Sequence, residues 1–112
     1  MGSDRYAFYG DLLAESEVPR RGIHSQTLSD EEGVELVLFS MAPGEELSEH
    51  ASARPAIIHV LSGTGELTVD GDRHDVQPGA WMRMKARTPH AVVAATALVF
   101  ALYLLPRSDP AS

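Results

Sequence analysis

Turn-forming residues recur along this sequence at short, fairly even intervals, and that spacing suits a β fold. Asp30-Glu31-Glu32-Gly33, Ala42-Pro43-Gly44, Ser62-Gly63-Thr64-Gly65, Asp70-Gly71-Asp72 and Gln77-Pro78-Gly79 each interrupt the chain. Between them lie runs rich in Val, Ile, Leu, Phe and Met. The pattern predicts strands at 23–28, 34–41, 56–61, 65–69, 74–76, 80–85, 90–94 and 98–105. Short strands with regular turn signals read as an all-β sandwich or barrel. Asp70-Gly71 is the best hairpin signal, because both turn positions need positive φ. Helix signal is weak. Asp11 is a fair N-cap for one or two turns before Pro19.

Composition narrows the function. A chain of 112 residues is one domain. The expected division is an N-terminal segment at 1–22, a barrel at 23–105 and a frayed polar tail at 106–112. Sixteen acidic against nine basic residues give a net charge of −7. Nucleic acid and anionic membranes both call for a basic face, so neither is an expected partner. The absence of Cys excludes thiol catalysis, disulfides, thiolate zinc and iron–sulfur clusters. Metal chemistry is left to His and carboxylate. No apolar run approaches the ~20 residues of a membrane span, and the N-terminus has no signal pattern. The expected location is the cytoplasm.

Most of residues 44–90 resembles the paired motifs of the cupin superfamily. Gly44 and His50 stand in first-motif register, with Ser52 at the second His position, Ala56 at the Glu position and Gly63 closing the motif. In the second motif Gly79 and His90 match, while Lys85, Arg87 and Ala94 replace Pro, Gly and Asn. The stretch 59–71 resembles the hairpin of small single-domain cupins, and Gln77-Pro78-Gly79-Ala80 the turn that follows it. The resemblance implies a double-stranded β-helix, or jelly-roll, barrel of two antiparallel sheets. It also implies a homodimer and a small-molecule ligand.

In that family two His, one Glu and a further His bind one divalent metal, often Fe, Mn, Ni, Cu or Zn. Here His50 and His90 remain, and Ser52 and Ala56 cannot replace an imidazole and a carboxylate. Side chains alternate along a strand, so His59 should point out of the barrel if Ala56, Ile58 and Val60 point in. A bulge near Arg54-Pro55 would reverse that. His24 lies on an early strand and could reach the lumen from another wall. A metal site of His50, His90, His59 and His24 is therefore one expectation. It would serve a small-molecule oxygenase, isomerase or lyase. The alternative is a metal-free ligand-binding or sensor barrel, with a pocket lined by Ser52, Ile58, Met82 and Met84.

Other residues read more simply. His74 follows Gly71-Asp72-Arg73 and should be solvated. Glu45, Glu46 and Glu49 read as a solvated turn. Met82 and Met84 should face inward, with Trp81 and Arg83 on the outer face, where they suit a subunit contact. Arg54 and Arg87 flank the histidine positions on loops and would suit an acidic ligand.

Overall fold

The hairpin signal at Asp70-Gly71 folds as the sequence predicts. In the computed structural model, which describes residues 5–107, these two residues take φ of +52° and +86°. Such values match the twist of the flanking strands. They join β5 (Gly65–Val69) to β6 (Asp72–Val76). The other strands are β1 (Ile23–Glu31), β2 (Val34–Met41), β3 (Glu46–His50), β4 (Ala56–Ser62), β7 (Trp81–Met84), β8 (His90–Ala94) and β9 (Leu98–Leu104).

Two antiparallel sheets result. One has the order β1-β2-β9-β4-β7 and the other β3-β8-β5-β6. Their inner faces meet in one core. Met41, Ile58, Val60 and Phe100 of the first sheet pack towards Leu67, Val76 and Val92 of the second. Fully burying a side chain of this kind stabilises the fold by roughly 1.5–3 kcal/mol. Phe39 and Phe100, opposite each other on β2 and β9, stack with ring centres 5.0 Å apart.

Two of the corners at which the chain passes between the sheets, β4 to β5 and β8 to β9, brace each other. Thr64 N–H donates to Thr96 Oγ1 at 2.9 Å, and the N–H groups of Ala95 and Thr96 donate to Thr64 O at 3.0 and 3.2 Å. The N-terminal helix signal gives one 3-10 turn, Leu12–Glu15, capped by Asp11 Oδ1 accepting from Leu13 N–H. This segment is tied to β1 by Tyr9 Oη donating to Leu28 O at 2.9 Å and Gln26 Nε2 donating to Glu15 O at 2.6 Å. The tail expected to fray lies outside the described residues from position 108 onward.

Three elements differ most from the sequence reading, one of them β6, which starts at Asp72 rather than at residue 74. β3 occupies residues expected to be a turn, and β1 extends through Asp30 and Glu31. β3 pairs Leu47 with Val92 and His50 with His90. Ser48 and Glu49 thus stand opposite the single residue Ala91, which is a bulge. Without it, Leu47 and His50 would lie on opposite faces.

Candidate functional site

The bulge in β3 decides where the histidines stand. By returning His50 to the face of Leu47, it sets His50 directly opposite His90. The two rings lie 4.3 Å apart, tilted by 57°. His90 is 5% exposed, while His50 is open to solvent.

Each imidazole is anchored in the same way. His50 Nδ1 lies 3.0 Å from Ser48 O, and His90 Nδ1 lies 3.0 Å from Thr88 O. A carbonyl oxygen only accepts, so both Nδ1 atoms carry the proton and donate it. Both Nε2 atoms are then left for a ligand. Among the described residues Ser40 Oγ is the one buried side-chain nitrogen or oxygen without a partner. His90 Nε2, which has no protein partner, is therefore reached by solvent.

The lumen beneath the pair is apolar and nearly full. Phe39, Leu47, Ile58, Val92, Phe100 and Leu102 close around a void of about 20 Å³. That is room for one small atom group. The loops after β3 and β7 cover this end of the barrel and are joined by Arg87 N–H donating to Ser52 O at 2.6 Å.

Burial pushes the pKa of His90 down. The hydrogen bond to Thr88 O works against this, and the charge on His50 adds to it. An unfolded imidazole takes its proton near pH 6.5, and folded His90 takes it lower. Acidification through about 6.5 protonates the unfolded chain first and favours it. The stability linked to neutral His90 is thus present above that pH and lost as the pH falls towards the folded value. Urea midpoints between about pH 7 and about pH 5 should decline less steeply in His90→Gln than in the parent chain.

The four expected histidine ligands do not assemble. His59 pairs with Trp81 and Ala101, between the inward Ile58 and Val60, so it faces out of the barrel. The bulge that could have turned it inward occurs in β3 instead, and β4 keeps its parity from Ala56 to Val60. His24 pairs with Ser40, whose neighbour Met41 is in the core, so it also lies on the outer face. Of the pocket residues, Ile58 is buried in the core with Met84, and Met82 packs against it. Ser52 Oγ accepts from Arg54 N–H at 3.0 Å, an internal turn contact.

Arg54 is not free for an acidic ligand either. Its guanidinium donates to Gly33 O at 2.7 Å, Leu104 O at 3.1 Å and Leu105 O at 3.0 Å, and pairs with Glu35 at 3.3 Å. It fastens the β1–β2 hairpin to the end of β9. Glu45 likewise has a structural partner, accepting from Gly22 N–H at 3.0 Å. Trp81 and Arg83 are exposed on β7 as expected. Arg87 stands out on the loop leading into His90. It holds φ at +64°, where the resembling motif has glycine. A side chain in that region costs about 1–2 kcal/mol.

A barrel of two antiparallel sheets with a histidine pair at one end defines the cupin class. The cupin domain family matches residues 37–104, and the chain belongs to it. Among solved structures, the conserved SPY1581 protein of unknown function from Streptococcus pyogenes is 29% identical. It has a TM-score of 0.81 over 93% of this chain and 91% of that one. An RmlC-like cupin from Desulfovibrio desulfuricans is 25% identical, with a TM-score of 0.80 over 90% and 98%. A cupin superfamily protein from Desulfitobacterium hafniense DCB-2 is 24% identical, with a TM-score of 0.79 over 85% and 87%. No curated protein matches the sequence. No helix among the described residues is long and apolar enough to cross a membrane.

Cupins often hold a metal, and the donors here can be tested against one. Of the family's four ligand positions only His50 and His90 supply a donor suited to a transition metal. Ala56 is packed in the core, and the Ser52 hydroxyl is engaged by Arg54. Among the described residues no three of His, Cys, Asp or Glu gather as a metal site. Catalytic sites ordinarily take three ligands from the protein. The donor set does not fit a catalytic metal centre.

Proposed function

We propose that this chain is a small-molecule-binding cupin that grips its ligand directly with the His50–His90 pair. One observation carries the reading: both Nδ1 atoms are committed to main-chain carbonyls, which leaves two Nε2 atoms at the mouth of a closed apolar lumen. Neutral, the pair offers two acceptors. With one proton it offers a donor and an acceptor, the complement of a hydroxyl beside a carboxylate. The charge of His50 disfavours a second proton on His90.

Lys85 and Arg87 support the same ligand class. Both are exposed on the loop that leads into His90, and they place positive charge there in a chain of net −7. The left-handed backbone of Arg87 is a cost that glycine would avoid, and strain of this kind is often kept where the side chain is used. The class that fits is a small 2-hydroxy carboxylate, with lactate as the simplest probe.

Arg87→Gly separates stability from binding. Relief of the strained φ should raise stability by up to about 1 kcal/mol, less the extra freedom glycine gains when unfolded. The same variant should bind lactate more weakly, read from imidazole nitrogen shifts of His50 and His90. If those shifts are indifferent to lactate in the parent chain, the reading fails.

A further inference from the structure

The two sheets part on the side away from β3. There β6 ends one sheet and β7 ends the other. A second cavity of about 240 Å³ opens between these edges. Ile58, Val60, Leu67 and Val76 form a buried floor, and Met82 flanks it. Ile58 is the one residue it shares with the void beneath the histidine pair.

Its rim carries chemistry that the histidine pair does not use. His74 stands opposite Leu67 in the β5–β6 ladder, and directly paired residues share a face. Its imidazole therefore projects on the inner side of β6, exposed because β6 is the edge strand of its sheet. Met82 lines the opposite edge, while Trp81, paired with the outward His59, presents its indole to the outer face at 60% exposure. Among the described residues the lining holds no Lys or Arg, which disfavours an anionic guest.

Size and polarity point to one kind of occupant. An apolar cavity of about 150 Å³ stays dry and accepts benzene, so this one has space for a substituted ring. We propose that the side cavity binds a neutral single-ring molecule carrying one hydroxyl. The ring lies on the Ile58–Val76 floor beside Met82, and the hydroxyl hydrogen-bonds to His74. This site is independent of the reading given to His50 and His90.

Met82 flanks the cavity, so its methyl group gives an NMR signal at the binding site. Titration with 4-fluorophenol should move that signal saturably, and 4-fluorobenzoate should not. His74→Ala should weaken 4-fluorophenol binding roughly three- to tenfold, as loss of one hydrogen bond does, and leave fluorobenzene binding unchanged. Ala80 also lines the cavity, so Ala80→Phe, or the milder Ala80→Leu should the first not fold, should reduce binding of both. His50→Ala should leave it intact. An unmoved Met82 methyl overturns the proposal. So does a shift that survives in folded Ala80 variants, or one that disappears in His50→Ala.

Discussion

Gly63→Ala should leave the barrel unfolded or close to it. Gly63 lies in the corner between β4 and β5 with φ at +86°. A Cβ there would overlap Ala97 O, and would lie 2.8 Å from Ala97 C and 2.9 Å from Leu98 Cα. All three atoms are backbone, at the neighbouring corner that leads into β9, so no side chain can swing aside. The left-handed conformation costs about 1–2 kcal/mol, and forced overpacking typically adds about 1–3 kcal/mol. Together these come to about 2–5 kcal/mol, which reaches the lower end of a domain stability of about 5–15 kcal/mol. Gly71→Ala is the matched control. It has the same φ of +86° and nothing within 4 Å of the added Cβ, so it should lose only the conformational part. Urea denaturation of the two variants separates backbone strain from close approach. Equal losses would show that the corner relaxes.

Phe100→Ala should cost about 3–5 kcal/mol, the range for deleting a buried aromatic ring. Phe100 is 2% exposed on β9, which runs between β2 and β4 in the larger sheet. Its ring stacks on Phe39 and also closes the lumen below the histidine pair. Truncation therefore removes transfer energy, a ring stack and packing at once. The melting temperature should fall by roughly 10–20 °C. Phe100→Leu keeps most of the volume and should lose well under half as much. A full-sized loss in the leucine variant would place the effect in ring stacking rather than in the cavity.

Most of the barrel was legible because turn chemistry and burial parity agree. Asp70-Gly71 set one hairpin. The alternation through Ala56, Ile58 and Val60 correctly turned His59 outward, and the short apolar runs gave β2, β5 and β8 their observed limits. β3 was not legible. Glu45, Glu46 and Glu49 read as a solvated turn, and the bulge places the inward Leu47 and His50 three residues apart, where period-two alternation would separate them. Half of the histidine site thus depends on a backbone irregularity with no clear residue signature.

Arg54 was hidden for another reason. Its carbonyl partners at Gly33, Leu104 and Leu105 lie 21, 50 and 51 residues away in sequence. Only the closed barrel brings them together. His74 is solvated as expected and also inward. At a sheet edge those descriptions coexist, because no neighbouring strand covers the side chain.

The central claim is that His50 and His90 hold a ligand as imidazoles, without a metal between. Calorimetric titration of lactate into chelator-treated protein tests it most directly. Saturable binding by the metal-free chain, lost in both His50→Ala and His90→Ala, is the predicted result. Binding that appears only after one equivalent of zinc, nickel, iron, manganese or copper is restored would contradict it.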